Sequence, residues 1–331
     1  MALATTGALH TTPTDLLDAH AGLLPMDLLL KKICFRVLTC ICSLPPSNPV
    51  ALQALKYHAR PAKRHITNIQ HLLKLFQIDP LSLEDIPVTT RLPSYRLPIN
   101  ICIADSKEES LEDESKDEAN IRIYTNGSCQ NRMVGVAAVL YYPRNGVVRT
   151  PSRFLRFQLG SDKKYLIWDA EVVGGLLALW MLRGSNRISR FPISIYSDSQ
   201  AFIRSIGAQR AKSGYHLVEQ FTKQVESLIE QAIPIRTPEK IRLRWIAAHN
   251  NVLGNKRADK EAKKAVAGAS SAIEHIPPFL KSPLPSSTEP TKAQFMNQLK
   301  TEWKEKWDLS PRKAQFSNID SDFPLNKFQK I

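Results

Sequence analysis

The chain has few cysteines, and none in a zinc-binding pattern. Its five cysteines (Cys34, Cys40, Cys42, Cys102 and Cys129) offer no paired spacing: Cys40 and Cys42 lack a second pair, and His58, His65 and His71 are spaced for no common site. Thiols of this sort suit a reducing compartment, so an intracellular location, nuclear or cytoplasmic rather than secreted, is expected. A long apolar run is also missing. The most apolar early stretch, Leu23–Leu44, contains Asp27 and is interrupted by Lys31, Lys32 and Arg36, and no basic start precedes it. That pattern argues against a membrane span and against a signal peptide. Nothing in the sequence argues for an oligomer. Acid is in short supply: the net charge is +14 and the pI about 9.6. Such a balance suits a polyanionic partner without saying anything about the fold.

What is present is enough for one or two packed domains, since 43% of the 331 residues are hydrophobic. Residues 1–78 read as helical. Thr12-Pro13-Thr14-Asp15 is a start signal with proline in the first turn. Leu28, Leu29, Ile33, Val37 and Cys40 recur at helical spacing and predict an amphipathic helix. Pro45-Pro46-Ser47-Asn48-Pro49 breaks the pattern, and a second helical run, Val50–Phe76, is rich in His, Lys and Arg.

Residues 79–119 read as a linker, first Pro-rich (Pro80, Pro87, Pro93, Pro98) and then acidic. From Asp105 to Glu118 eight acids and two lysines give a net charge of −6, leaving +20 on the remainder. An acidic run of this kind is expected to be solvated and disordered, with a cis shield over a basic groove as the alternative.

Residues 120–268 carry the ordered pattern. Strand alternation at Ile121–Ile123, Val134–Tyr142 and Ser152–Leu159 is followed by Leu166–Leu182, apolar nearly all round and so a buried helix. Arg144-Asn145-Gly146 reads as a turn. Then come a short strand at Ile193–Tyr196, helices from Gln200 and over Tyr215–Ile233, a strand at Ile241–Ile246 and a final helix over Asn255–Ala267. The order β-β-β-α-β-α-α-β-α predicts an α/β fold, a five-stranded mixed sheet with flanking helices. Beyond it, a Ser/Pro-rich linker from Ser270 to Pro290 leads into a helix, Lys292–Trp307. Its stripe of Phe295, Leu299, Trp303 and Trp307 is expected to dock on the protein.

Four short segments carry the chemistry. The first strand ends Tyr124-Thr125-Asn126-Gly127-Ser128, and the buried helix opens Trp168-Asp169-Ala170-Glu171. The fourth strand ends Tyr196-Ser197-Asp198-Ser199-Gln200. Trp245, His249, Gly254, Asn255, Ala258 and Asp259 form the last block. In order and spacing these resemble type 1 ribonuclease H over some 150 residues: a strand ending T-D-G-S, a helix with a Glu, a strand ending S-D-S and a W-x-x-x-H-x-x-x-x-G-N-x-x-A-D stretch. The resemblance implies the ribonuclease H-like fold and hydrolysis of the RNA strand of an RNA–DNA hybrid with two Mg²⁺ ions, Mn²⁺ being possible in their place.

By that resemblance Glu171, Asp198 and Asp259 are the metal ligands, and His249 relays protons or helps product leave. The bridging ligand between the two ions falls at residue 126, which here is Asn126. An amide has one carbonyl oxygen, and its NH₂ is a donor that repels a cation. Impaired turnover is therefore expected. Gly127, Ser128, Asn131 and Gln200 are candidate nucleic-acid contacts, with Lys163, Lys164, Arg204, Arg210 and Lys212 as candidate phosphate contacts. Asp169 is expected to cap its helix.

The flanks carry a narrower resemblance. Thr11–Asp15 with Ala21-Gly22-Leu23-Leu24-Pro25, and the pair Trp303 and Trp307, look like the segments around ribonuclease H in fungal non-LTR (LINE-like) retrotransposon polyproteins. No Y-x-D-D-type polymerase segment is present, so the chain looks like a C-terminal piece of one. The alternatives to an impaired hybrid nuclease are a catalytically inactive hybrid-binding module and a non-enzymatic retrotransposon remnant.

Overall fold

The structure is a computed structural model that describes residues 7–61, 64–87, 91–92, 94–143, 151–183, 192–208, 211–231, 241–248, 252–319 and 322–324. It divides into two compact units. One comprises residues 1–42, 47–80 and 291–331, the other residues 43–46 and 81–290.

In the N-terminal part of the first unit the described helices run α1 (Thr14–Ala21), α2 (Met26–Cys42), α3 (Pro49–Ala59) and α4 (Asn68–Phe76). Gly22 ends α1 in the left-handed region at φ 64°, where a residue without Cβ is favoured. Asn48 and Thr67 cap α3 and α4 by accepting from Val50 and Gln70 N–H. The expected amphipathic helix α2 is present, but its inward face is not the predicted one. Leu28, Phe35, Leu38 and Cys42 are buried, whereas Ile33 and Val37 are each 49% exposed. The aromatic ring decides the rotation: Phe35 stacks on Phe295 at 3.8 Å between centroids and meets Phe76 edge-on at 5.3 Å. The late aromatic stripe is buried as well, with Leu299 and Trp303 against Leu28 and Trp307 against Ala19.

The second unit holds one six-stranded mixed sheet in the order β1-β6-β5-β2-β3-β4. Its strands are β1 (Asn100–Cys102), β2 (Ile121–Gln130), β3 (Met133–Tyr141), β4 (Arg153–Ser161), β5 (Ile193–Ser197) and β6 (Ile241–Trp245). Pairing is antiparallel for β2–β3 and β3–β4 and parallel for β2–β5, β5–β6 and β6–β1. The five predicted strands are all there. The sixth, β1, comes from the segment read as linker; three residues are too few for alternation to show. The Arg144–Gly146 turn lies outside the described residues.

The helices of this unit are α5 (Lys107–Ser115), α6 (Ile167–Leu182), α7 (Gln200–Ala208), α8 (Tyr215–Gln231) and α9 (Leu253–Val266). Two further helices, α10 (Thr288–Asp308) and α11 (Lys313–Phe316), complete the chain. As its all-round apolar sequence requires, α6 is buried along nearly its whole length. Gly175 permits that depth, since a Cβ there would sit 2.6 Å from Phe202 and 2.9 Å from Phe221. Among the described residues no helix is long and apolar enough to cross a membrane. The Ser/Pro-rich stretch is tied down too: Ser271 N–H donates to Arg156 O at 2.9 Å, and Tyr165 OH donates to Leu284 O at 2.6 Å.

The acidic segment departs most from expectation. It forms α5, capped by Ser106, and its acids meet arginines of the sheet. Asp117 is buried beside Arg242 at 3.2 Å, Arg244 at 3.5 Å and Arg122 at 3.7 Å. Arg244 also reaches Asp113 at 3.1 Å, Arg122 reaches Glu114 at 3.4 Å, and Tyr196 OH donates to Asp117 at 2.7 Å. Three arginines projecting from β2 and β6 need three carboxylates in a medium that solvates charge poorly, and composition alone does not reveal that demand.

Burial alone would raise the Asp117 carboxyl, but polar side chains around it, among them the donating Tyr196 hydroxyl, and the Arg242 charge outweigh it and hold it below the usual carboxylate range. A depressed folded value means that its contribution is complete above the unfolded value, about pH 4, and is lost as pH falls through the folded one. Asp117→Ala strands the buried Arg122 and Arg244 guanidiniums and should cost about 3–5 kcal/mol in urea denaturation at pH 7. A cost below about 1 kcal/mol would show the network to be surface-like.

Candidate functional site

The site forms where β5 ends and β2 runs on. Residues 121–125 of β2 pair with β5, and past Thr125 that edge of β2 has no strand beside it among the described residues. There Gly127 N–H donates to Glu171 Oε1 at 2.7 Å, so a carboxylate from α6 replaces the missing ladder partner. Glu171 is buried, and its other oxygen accepts from Ser197 Oγ at 3.2 Å. Gly127 is required by space, because a Cβ would lie 2.8 Å from Glu171 Oε1 and 3.0 Å from Ala170 Cβ.

Asn126, also buried, points its amide at the next acid: Nδ2 donates to Asp198 Oδ2 at 3.3 Å. Asp198 is half-buried just beyond β5. Its carbonyl is anchored by Trp245 Nε1 at 3.1 Å, which gives the motif tryptophan a physical task. Burial, and after it the Asp198 charge, pushes the Glu171 carboxyl upward. Asn126, Glu171 and Asp198 are thus brought together.

Asp259 lies half-exposed on α9, held by Lys263 at 2.7 Å. The spacing of its block has a packing reason, for a Cβ on Gly254 would come within 2.3 Å of the Tyr124 ring. His249 and Arg210 lie outside the described residues. Asp169 accepts from Leu166 N–H at 2.7 Å and from Ser287 Oγ at 3.0 Å, and burial pushes it up to about 6. It therefore locks the start of α6 from the helix's third position.

Among the proposed nucleic-acid contacts, Ser128 is buried in β2, and Asn131 is exposed in the β2–β3 turn at φ 50°. Gln200 opens α7 and accepts from Arg204 at 3.3 Å. Lys163, Lys164 and Lys212 are exposed. The reading of the sequence overlooked Ser197 as a holder of Glu171. Its place in the S-D-S segment, at the buried end of a strand, is the signal that could have found it.

Two Mg²⁺ ions need hard anionic oxygens free to coordinate. Here the amide donor of Asn126 occupies Asp198, Glu171 has both oxygens engaged, and Asp259 is paired with a lysine. Among the described residues no group of three or more His, Cys, Asp or Glu is placed to hold a metal ion. As they stand, these residues do not fit a two-metal centre.

Residues 118–267 match the family model of RNase H, and this segment is an RNase H domain. Ribonucleases H are endonucleolytic hydrolases, and family members generally use divalent metal ions. No curated protein matches the chain by sequence. Among solved structures, RNase H1 of the halophilic archaeon Halobacterium salinarum NRC-1 is 15% identical, with a TM-score of 0.32, over 45% of this chain and 98% of that one. LC11-RNase H1, isolated from compost by a metagenomic approach and solved in complex with an RNA/DNA hybrid, is 18% identical, with a TM-score of 0.34, over 45% and 98%. The N-terminal RNase H domain of a Mycobacterium tuberculosis protein is 16% identical, with a TM-score of 0.32, over 46% and 96%.

Gly127→Ala tests the packing at the centre of the site. The added methyl must displace Glu171 or Ala170, so a loss of about 1–3 kcal/mol in urea denaturation is expected. A change within about 0.5 kcal/mol, the range of ordinary surface substitutions, would contradict the close approach.

Proposed function

We propose that residues 118–267 act on RNA–DNA hybrids as a ribonuclease H whose turnover is impaired by the amide at position 126. The observation that carries this reading is the contact of Asn126 Nδ2 with Asp198 Oδ2, a donor where the family's chemistry calls for a second anion. Glu171, Asp198 and Asp259 are the residues we assign to the metal-dependent chemistry of the class, with His249 as proton relay and Gly127, Ser128, Asn131 and Gln200 as substrate contacts. With Asn126 in place, no step through a metal follows for this chain. What its own residues do is position: Glu171 fixes the Gly127 backbone, Ser197 fixes Glu171, and Trp245 fixes the Asp198 turn.

The flanking segments, Thr11–Pro25 and the Trp303/Trp307 pair, support placing the chain in a LINE-like retrotransposon polyprotein. The engaged state of all three acids favours a second reading, a module that binds hybrid without cutting it.

Cleavage of an RNA–DNA hybrid with Mg²⁺, by the wild type and by Asn126→Asp, separates these. Losing one preorganised charge-stabilising group commonly costs about 10²–10³ in rate, so the Asp variant should exceed the wild type by that order. Wild-type binding with no detectable cleavage, restored in the variant, supports the binding module. Equal rates in both forms would overturn the reading of position 126.

A further inference from the structure

The helical unit carries a charge pattern of its own. From Leu28 to Ile78 the sequence has five Lys and three Arg and not one Asp or Glu. Lys31 within it is paired with Glu302 at 2.8 Å. Lys56 and Arg60 at the end of α3, Arg64 in the following loop and Lys74 on α4 are all exposed, and among the described residues no acid pairs with them.

Between α3 and α4 lies a cleft of about 890 Å³ whose walls include Tyr57, His58, Ile66, His71 and Lys74. The one acid among its described lining residues, Asp79, faces His58 at 3.2 Å. Ile66 is 59% exposed, so the cleft presents apolar surface beside Lys74, while Arg60 and Arg64 flank the lining in sequence, next to Pro61 and two residues before Ile66.

We propose that this cleft is a nucleic-acid site separate from the RNase H domain, and that it takes a single strand. Cations without acidic partners hold counterions that a phosphate backbone releases on binding. Tyr57 and Ile66 offer the flat and apolar walls on which unpaired bases pack without regard to sequence. In a duplex the bases are already stacked and paired, and that apolar wall would have nothing to receive. The site does not rest on the ribonuclease H reading, and it assigns the helical unit a role in gripping the strand.

The test uses the full chain and a fluorescein-labelled oligodeoxythymidylate, with anisotropy read across a salt series. The triple variant Arg60→Glu, Arg64→Glu, Lys74→Glu should weaken binding about tenfold or more and reduce the slope of log K against log salt by about 2, at about 0.7 per single-strand phosphate contact. Tyr57→Ala should weaken binding about tenfold with the slope unchanged. A control triple of the same charge change on exposed lysines elsewhere, Lys281→Glu, Lys300→Glu, Lys304→Glu, should stay near the wild type. Circular dichroism melts show that each variant is folded; the reversed cations are solvent-exposed, so folding should survive.

Equal losses in the two triples would reduce the effect to net charge and overturn the site. So would a wild type that does not bind the oligonucleotide. If phosphatidylserine vesicles bind the wild type and lose that binding in the first triple, while oligonucleotide binding is unaffected, the face is a lipid contact and the proposal fails. Hybrid cleavage is not read in this experiment, so its failure leaves the ribonuclease H reading standing.

Discussion

Charge balance in a poorly solvating interior governs the sheet-bearing unit at two places. A buried ion costs several kcal/mol unless an opposite charge and hydrogen bonds compensate it. On the sheet, Arg122, Arg242 and Arg244 meet that requirement with Asp113, Glu114 and Asp117. At the candidate site the Glu171 and Asp198 carboxylates lie close enough for the Asp198 charge to raise Glu171, and an amide at 126 bonds to Asp198 without adding a third charge. The same rule thus recruits an acidic helix in one place and favours a neutral side chain in the other.

This makes the fold and the chemistry separable. Asn126 is compatible with the packing, since it donates to Asp198 and lets Glu171 settle on the Gly127 backbone. An aspartate there would bring three carboxylates together, an arrangement that is stable only with positive charge between them. The scaffold of the family can therefore persist whether or not its metal centre does. The RNase H match over residues 118–267 speaks to the scaffold, and position 126 speaks to the turnover.

Much of this was legible in the sequence, for physical reasons that differ by element. The five main strands and α6 follow from periodicity, because a two-residue repeat and an all-round apolar run each have few solutions in a layered domain. Gly127 and Gly254 stand in motifs, and each proves to be a place where a methyl would collide with a neighbour. By contrast, β1 is too short to show alternation, and α5 reads as solvated because its stabilising partners lie on strands far along the chain. The inward face of α2 was misassigned, as helical spacing fits more than one stripe and only Phe295 and Phe76 select the one bearing Phe35. The engagement of Asp259 by Lys263 lies one helical turn away and can be read from sequence, whereas the Asn126–Asp198 bond joins residues 72 apart and cannot.

We propose that the amide at 126 keeps divalent cations from the site. Isothermal titration of MgCl₂ into the wild type and into Asn126→Asp reads this without relying on turnover. The expected result is saturable Mg²⁺ binding in the variant and far weaker binding in the wild type. Saturable binding of equal affinity and stoichiometry in both proteins would contradict it.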